Sequence, residues 1–375
     1  MKTPISDSCV FTIVSKNYLS HARVLMRSVL EHHPDVKRFV LLADRIDGYF
    51  DPEREPFDVV EAEALGIKFF DSFSFKYNVV EFNTAVKPFA FRHLFARYGF
   101  AKVIYLDPDI LLFRPLSDIF DSLDHYSIIL TPHTTTPMPD DGLQPKDIDI
   151  LKVGVFNLGF VAFARGQTAD RLLAWWSDRL YDSCLQAPLS GYAVDQIWMS
   201  LVPCLTGNFF VLRNPGYNVA YWNLHERTIA KDAEGYRVNS MPLYFFHFSG
   251  FMADQTEKIS KYQTRHHVED FPALKGLLEM YRSLLLENGY RESTRWPYYY
   301  GRTKRGSPIP QIARTIYWGL GADRSKCGNP FEHFCLGFLK PGNFAAFFTE
   351  RFLRALLDRT LMGAWEFFRR VKLRR

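Results

Sequence analysis

The sequence predicts an α/β fold in which helices flank a sheet, followed by a helical C-terminal extension. Short apolar runs bounded by polar or glycine turns alternate with amphipathic segments, which indicates strands alternating with helices. Such alternation favours a sheet whose strands are mostly parallel. Of the 375 residues, 47% are apolar and 16% are aromatic, which is enough to bury a large core and excludes a disordered chain.

The first elements follow the order strand, helix, strand. Residues 9–14 are an apolar run that ends in polar residues, so we predict a buried strand there. Residues 21–32 place apolar side chains at helical spacing, and residues 39–43 are a second apolar run. Residues 57–75 continue the pattern with a short strand and a helix.

The same two periodicities predict the later elements. They are strands at 102–106, 127–131, 153–164 and 243–248, and helices at 84–98, 169–180, 194–202 and within 255–300. The proline-rich segment 132–149 is predicted to be a functional or mobile loop, since long irregular loops are uncommon in compact domains. Residues 302–341 are rich in glycine and proline, which predicts a linker.

The positive charge of the chain is concentrated at its C-terminal end. The formal net charge is +5, and residues 341–375 carry eight basic and three acidic side chains, so the rest of the chain is neutral. A neutral body excludes a protein that coats nucleic acid. Basic residues interleaved with bulky apolar ones in amphipathic helices suit an anionic membrane surface. A helix docked on the body, or a dimer contact, is the alternative.

The remaining composition favours a cytoplasmic protein attached peripherally to the inner face of the membrane. The five cysteines are scattered and contain no CxxC pair, so neither a disulfide framework nor a cysteine zinc site is expected. No apolar stretch reaches the length of a spanning helix, and no signal-peptide pattern is visible.

Two carboxylates, Asp107 and Asp109, follow the strand predicted at 102–106. Ligands bind beyond the carboxyl ends of strands in open α/β sheets, and two carboxylates between apolar flanks are costly without a cation. Mg²⁺ and Mn²⁺ prefer oxygen ligands and are often shared with phosphates. His247 ends the strand predicted at 243–248 and is a third candidate ligand, a combination that suits Mn²⁺ better than Ca²⁺. An isolated Asp-x-Asp also marks turns, and an isolated strand-end histidine is more commonly a core residue.

Five ordered features between residues 9 and 250 resemble glycosyltransferase family 8. They are the opening strand with Asn17-Tyr18, the segment around Asp107-Pro108-Asp109, the strand at 156–159, the pair Asp195-Gln196, and the residues at 247–250. The resemblance implies the GT-A fold, a Rossmann-like mixed sheet flanked by helices, over residues 1–255. Residues 256–340 would form a helical and linker extension, and residues 341–375 the basic amphipathic helices.

The resemblance also implies residue roles. Donor-binding residues would be Ser15, Asn17, Tyr18, Lys87, Asp107, Asn157, Gly159, Gly250 and Lys258. Asp107, Asp109 and His247 would hold the metal, while Asp195 and Gln196 would lie near the anomeric carbon as catalytic residues.

Two positions depart from the family. Ser15 stands where an acidic residue often contacts the base, and Ala253 stands where a lysine is usual, with Lys258 or Lys261 as substitutes.

Several of these residues also have a structural interpretation that involves no ligand. Asp195 could be a helix N-terminal residue favoured by the dipole, and Asn157 an ordinary strand-end residue whose buried amide needs partners. The polar-aromatic segment 216–225, with Tyr221, Trp222 and His225, suits the flanking of sugars, and we predict that it forms the acceptor side together with residues 132–149. Ordinary packing is the alternative.

The predicted function is therefore a metal-dependent, hexosyltransferase-like glycosyltransferase of lipopolysaccharide or polysaccharide biosynthesis. The resemblance implies a nucleotide-diphosphate sugar donor, in this family commonly a UDP-sugar, a glycan or lipid-linked glycan acceptor, and retention of anomeric configuration. One alternative is a non-catalytic sugar-binding protein. The other is a haloacid-dehalogenase-type phosphatase, whose Asp-x-Asp is normally followed by Thr or Val near the start of its domain, whereas Ile110 and Leu111 follow here.

Overall fold

The computed structural model describes residues 7–332, residue 353 and residues 356–359. Most of the predicted basic tail at 341–375 therefore lies outside the described residues. In the described chain the strands are β1 Ser8–Val14, β2 Lys37–Leu42, β3 Asp58–Glu61, β4 Lys102–Leu106, β5 Ile110–Leu112, β6 Ile128–Pro132, β7 Phe156–Ala164, β8 Gln186–Ala187, β9 Tyr192–Ala193, β10 Phe209–Val211, β11 Ile229–Asp232, β12 Gly235–Val238, β13 Met241–Pro242 and β14 Phe245–His247.

The helices of the described chain vary from one turn to four or five turns. They are α1 Leu19–His32, α2 Phe70–Lys76, α3 Val79–Ala85, α4 Lys87–Tyr98, α5 Ser117–Ser122, α6 Asp147–Val153, α7 Gln167–Ser183, α8 Gln196–Met199, α9 Val202–Leu205, α10 Pro272–Glu287, α11 Tyr290–Ser293 and α12 Gln311–Gly319.

A seven-stranded mixed sheet lies at the centre, in the order β10-β6-β7-β4-β1-β2-β3. All neighbouring strands run parallel except β7, which is antiparallel to both β4 and β6. The predicted α/β fold with a mainly parallel sheet is thereby confirmed. Because β7 runs in the opposite direction, its first residues lie beside the carboxyl ends of its neighbours β4 and β6, at the edge where a site is expected.

Helices cover both faces of this sheet. On one face, α1 and α5 pack side chains such as Leu25, Val29 and Phe120 against alternate strand residues. On the other face, α2, α3, α4, α7 and α12 enclose a second core that includes Phe91 and Trp176. The apolar stripe of α1 faces the sheet because side chains four residues apart lie on one side of a helix.

A third core lies beyond the carboxyl edge, where β14 pairs antiparallel with β5. The strand β5 follows β4 after a three-residue turn, and its partner β14 comes from a distant part of the chain. Helix α10 and the antiparallel strands β11 to β13 pack against this pair. Neither β5 nor β11 to β13 was predicted from the sequence.

Two helical predictions differ from the structure. The helix predicted at 84–98 is interrupted, because α3 ends at Ala85 and α4 begins at Lys87 with Pro88 in its first turn. As predicted, Gly99 ends α4, and it does so with a left-handed backbone conformation. Part of the predicted linker at 302–341 is the helix α12, because the buried Arg314 donates to the carbonyl oxygens of Phe75 and Tyr77 and fixes this segment to the body.

The described residues at 356–359 are helical and dock on the body. Arg359 Nη2 lies 2.7 Å from Glu81 Oε2, with both side chains buried, and the Ser190 N–H donates to the Asp358 carboxylate. This part of the tail therefore follows the docked-helix alternative. Among the described residues, no helix is long and apolar enough to cross a membrane, and the cysteines at 9, 184, 204 and 327 are free thiols.

Candidate metal and donor site

The two carboxylates lie where the strand order predicts. The Asp107 N–H donates to the Gly159 carbonyl at 2.7 Å, which continues the β4–β7 ladder by one residue. The Ile110 N–H then donates to the Asp107 carbonyl at 3.1 Å and closes a tight turn containing Pro108. This turn holds Asp107 and Asp109 on the same side of the sheet edge, with both carboxylates partly exposed.

His247 reaches these carboxylates through strand pairing. It lies opposite Ile110 in the β5–β14 register, and the Phe248 N–H donates to the Asp109 carbonyl at 2.8 Å. His247 Nε2 is 3.1 Å from Asp109 Oδ1 and 3.6 Å from Asp107 Oδ2. One ligand atom from each of the three residues lies within 4.8 Å of the others, so two carboxylates and an imidazole fit a single divalent cation.

The electrostatics of this cluster favour a bound positive charge. Burial raises the pKa of Asp107, against the opposing effects of Lys87 and His247. Burial acts in the same direction on Asp109, but the neighbouring His247 outweighs it and the pKa of Asp109 is lowered. Burial alone would lower the pKa of His247, yet Asp109 and Asp107 raise it. The imidazole thus holds a proton more tightly than usual where a metal would otherwise bind.

Gly159 makes room for the histidine. A Cβ atom at this position would lie 2.6 Å from His247 Nδ1 and 2.8 Å from Asn157 Oδ1, which is closer than real side chains approach. Both neighbours are buried, so neither can turn away into solvent. A glycine is therefore required in β7 for His247 to lie flat against the strand.

A buried chain of amides lies behind His247. Asn218 Oδ1 is 3.3 Å from His247 Nδ1, and Asn218 Nδ2 donates to Asn157 Oδ1 at 3.1 Å. Asn157 Nδ2 lies 3.3 Å from His133 Nε2, and burial lowers the pKa of His133 to about 4, which keeps that ring neutral. The partners that the buried Asn157 amide requires are thus supplied by the protein itself.

A buried ion pair lies beside the carboxylates. Lys87 Nζ is 2.5 Å from Asp195 Oδ2, and it also donates to the Leu158 carbonyl at 2.9 Å. The same ammonium lies 4.0 Å above the ring of Tyr105, whose hydroxyl donates to Asp107 Oδ1 at 2.5 Å. The predicted residues Lys87 and Asp195 therefore contact each other directly and connect to the metal cluster through Tyr105.

Gln196 and Asp195 enter the site at the start of α8. The Leu158 N–H donates to Gln196 Oε1 at 3.4 Å, and the Trp176 indole N–H donates to the Asp195 carbonyl at 3.2 Å. Asp195 is the residue immediately before the helix, but its side chain forms no capping hydrogen bond there. Its carboxylate faces Lys87. The alternative prediction, in which Asp195 serves only as a helix N-terminal residue, therefore does not account for the position of this carboxylate.

A cavity of about 260 Å³ opens beside the carboxylates. It brings together the predicted residues Ser15, Asn17 and Tyr18 with Asp107 and Asp109, because β1 and β4 are parallel neighbours and end at the same edge. Within the described chain, Asn17 Oδ1 is buried there without a hydrogen-bond partner. An unpaired buried acceptor in a cavity is typical of a ligand-binding position.

One wall of this cavity was not predicted. It comes from α3, through Val79, Val80, Asn83 and Thr84. The Asn83 amide donates to Ser15 Oγ at 2.9 Å, so the helix is fixed to the end of β1. The sequence signal was the capping pair Asn78 and Glu81, which starts a helix five residues before the predicted one.

Two predicted donor residues have other surroundings. Lys258 is exposed, and its ammonium donates to Gln255 Oε1 at 3.2 Å, while no contact of the described chain brings it to the cavity. Gly250 has a φ of +72°, and a Cβ there would lie 2.6 Å from Ser260 Oγ and from a ring carbon of Tyr262. Gly250 therefore permits a close approach of the chain that follows β14.

The predicted acceptor-side elements contact each other beside His247. The Trp222 ring packs edge-on against His247, with centroids 5.1 Å apart, and Tyr221 lies 6.2 Å from Tyr262. In the neighbouring loop, Thr136 Oγ1 is 3.3 Å from His225 Nε2. The segments 216–225 and 132–149 thus form one surface next to the metal cluster.

Comparison with known proteins gives distant similarities. No protein-family model matches the chain. The uncharacterized protein YfnF of Bacillus subtilis (strain 168) is 26% identical over 255 residues, which are 65% of this chain and 82% of YfnF. The apo structure of mouse xyloside xylosyltransferase 1 aligns with 64% of this chain and 97% of its own, with 14% identity and a TM-score of 0.39. The galactosyltransferase LgtC, in complex with donor and acceptor sugar analogs, aligns with 73% of this chain and 99% of its own, with 17% identity and a TM-score of 0.40.

Proposed function

We propose that this chain is a metal-dependent glycosyltransferase of the GT-A type, with a nucleotide-diphosphate sugar as donor. The observation that carries the proposal is the cluster of Asp107, Asp109 and His247 at the rim of a cavity that holds an unpaired Asn17 Oδ1. A diphosphate bound at the cluster would extend into this cavity through its nucleoside. The ordered motifs that resemble glycosyltransferase family 8 support the same reading and favour a UDP-sugar.

Asp107, Asp109 and His247 would hold Mn²⁺ or Mg²⁺, which supplies Lewis-acid neutralisation of the leaving diphosphate. Asn17 Oδ1 would accept a hydrogen bond from the base or the ribose, and Val80 would supply an apolar wall. Tyr105 donates to Asp107 Oδ1, which fixes the orientation of that carboxylate. The remaining Asp107 oxygen faces His247.

The chemical step would transfer the sugar to an acceptor hydroxyl. The bond from the anomeric carbon to the phosphate oxygen breaks, a bond to the acceptor oxygen forms, and the acceptor proton passes to the leaving phosphate. Asp195 or Gln196 would stabilise positive charge that develops on the sugar ring. Lys87 contacts Asp195 at 2.5 Å and would set the position of its carboxylate.

The acceptor would be a glycan or lipid-linked glycan of cell-envelope synthesis, bound between the segments 216–225 and 132–149. Tyr221 supplies a half-buried aromatic face, and His225 with Thr136 supplies polar groups at the same surface. Trp222 is buried and packs behind Tyr221 against His247, so it supports this surface by ordinary packing. Aromatic side chains beside hydrogen-bonding groups suit sugars, which present both apolar faces and hydroxyls.

The test is a panel of nucleotide sugars with Mn²⁺, in which release of nucleoside diphosphate is followed for wild type and Asp109→Ala. Asp35→Ala is the matched control, because Asp35 is exposed and remote from the cluster in the chain. We expect metal-dependent release from one donor, which is lost in Asp109→Ala and kept in Asp35→Ala. If no donor is turned over and no nucleotide raises the Tm, the proposal fails and the sugar-binding alternative is favoured.

We further propose that the residues after the docked helix attach the protein to anionic membrane. Residues 361–375 carry five basic and one acidic side chain, and each basic group near an anionic surface contributes about 1 kcal/mol. Arg359 is attached to the body by its ion pair with Glu81. The informative truncation therefore keeps residues 1–360 and removes residues 361–375. It should abolish binding to phosphatidylglycerol vesicles while nucleotide release is kept; retained vesicle binding would contradict the proposal.

A further inference from the structure

We infer that Asn218 is the positioning residue of the metal site, because it determines which nitrogen of His247 faces the carboxylates. The inference rests on the proposed metal site and adds a role that neither the motifs nor the resemblance assigns. It follows from a chain of hydrogen bonds that begins at a backbone N–H group, whose direction is fixed. Each bond in the chain determines the next one.

The first bond identifies the oxygen of Asn157. The Gly159 N–H donates to an Asn157 side-chain atom at 3.1 Å. A backbone N–H can only donate, so this atom is the amide oxygen Oδ1. The orientation of the Asn157 amide is therefore fixed by β7 itself.

The second bond identifies the nitrogen of Asn218. The same Asn157 oxygen lies 3.1 Å from an Asn218 side-chain atom, and two oxygens at this distance would repel each other. That atom is consequently Nδ2, which leaves Asn218 Oδ1 facing His247 Nδ1 at 3.3 Å.

The third bond determines the histidine. An amide oxygen can only accept, so it selects the form of His247 that carries a hydrogen on Nδ1. Nε2, which lies 3.1 Å from Asp109 Oδ1, is then the nitrogen that presents a lone pair to the site once its proton is replaced by a metal ion. Partners of this kind orient metal-bound histidines and raise their affinity for the metal.

The surroundings of Asn218 exclude a direct role in substrate binding. Its side chain is fully buried, and its backbone is held at a φ of +50°, a conformation that asparagine tolerates better than most residues. The Asn223 amide donates to the Asn218 carbonyl at 3.0 Å, and the His247 N–H donates to the Val219 carbonyl at 2.8 Å. The segment is thus tied to β14, and the Asn218 side chain contacts the His247 nitrogen that does not face the carboxylates.

The test compares two substitutions at one position. Asn218→Gly removes the amide while a positive φ stays accessible. Asn218→Asp keeps an oxygen facing Nδ1, and its second oxygen donates to Asn157 when it carries a proton, a form that burial favours. Asn239→Gly is the matched control, because Asn239 also has a positive φ and both ends of its amide are bonded, but in an exposed turn.

The readouts are the Mn²⁺ dissociation constant of each full-length protein, measured by electron paramagnetic resonance with the metal alone, and the proton spectrum of the Co²⁺-loaded protein. We expect Mn²⁺ binding to weaken about 10–100-fold in Asn218→Gly, and to stay near the wild-type value in Asn218→Asp and Asn239→Gly. A paramagnetically shifted, slowly exchanging Nδ1–H signal should be present in wild type and Asn218→Asp and absent in Asn218→Gly.

Two results would overturn the inference alone: wild-type affinity in Asn218→Gly, or an affinity in Asn218→Asp as weak as in Asn218→Gly. The second result would mean that Asn218 acts only through packing. If the wild-type protein binds no Mn²⁺, or if His247→Ala binds Mn²⁺ as tightly as the wild type, the proposed metal site itself is wrong. The wild-type titration thus separates failure of the proposed function from failure of the positioning role.

Discussion

Replacing Gly159 by alanine should weaken metal binding while the fold is kept. The added Cβ would lie 2.6 Å from His247 Nδ1 and closer still to His247 Cε1, and ordinary contact begins at 3.4 Å, so the ring has to recede by at least about 0.8 Å. Distances in a metal site are held to about 0.2 Å. His247 would therefore be moved out of range of a cation held by Asp107 and Asp109.

The size of the effect follows from the cost of overpacking. An extra methyl group in a filled core costs roughly 1–3 kcal/mol. Without metal, Gly159→Ala avoids this cost because the His247 ring is displaced. To bind metal, the ring has to return to its original position, so the same cost is subtracted from the free energy of metal binding. Converted at 1.4 kcal/mol for each factor of ten, Mn²⁺ binding should weaken about 5- to 150-fold.

The assay is a Mn²⁺ titration together with thermal unfolding. Gly207→Ala is the control, because a Cβ at Gly207 meets no atom within 4 Å, and it should bind Mn²⁺ as wild type does. Wild-type affinity in Gly159→Ala would refute the reasoning, since it would mean either that the ring yields without cost or that His247 is not a ligand.

Three further outcomes are expected. Lys87→Met leaves the buried Asp195 without a cation and should cost roughly 3–5 kcal/mol of unfolding free energy in urea; addition of Asp195→Asn should restore most of it, and no recovery would contradict the pairing. Asn17→Ala removes an unpaired buried acceptor, so the free energy of unfolding should not fall. The affinity for nucleoside diphosphate, measured by calorimetry, should fall about tenfold. Unchanged affinity would exclude a contact between Asn17 and the donor. Burial lowers the pKa of His33 to about 4, whereas the unfolded value is near 6.5. The unfolded chain thus binds more protons between these two pH values. The free energy of unfolding should therefore decrease as pH falls from about 6.5 to about 4, by an amount on the order of 3 kcal/mol for this group. If the free energy of unfolding of His33→Gln depends on pH as steeply as that of the wild type, this prediction is contradicted.

The central sheet was predictable because its signals are local. Strands β1, β2, β4 and β7 are apolar runs of five to nine residues, which stand out from polar neighbours in any window of the sequence. The position of Asp107 at the end of β4 followed from the same pattern. Its closeness to Ser15 followed from the parallel order of β1 and β4.

The assembly of the site was less predictable, because it depends on contacts between distant residues. Strand β5 has three residues, which is too short to produce a periodicity, and its pairing with β14 leaves no local mark. Asn218 was predicted only as part of the acceptor-side segment 216–225, because nothing local in the sequence indicates that its amide contacts His247. Lys87 was assigned to the donor by resemblance, but nothing in the sequence indicated that its direct partner is Asp195.

The pairing of β5 with β14 has a consequence for how the protein is made. Ile110 and His247 are opposite each other in the register, so one ligand of the cluster is synthesised well over a hundred residues after the other two. A nascent chain on the ribosome carries both carboxylates but cannot close the cluster until β14 has emerged and paired. At the proposed metal site, a divalent cation would therefore meet its complete set of ligands only after β14 has paired. It would then add about 2.7 kcal/mol of stability at a concentration one hundred times its Kd, and so would stabilise finished chains but not incomplete ones.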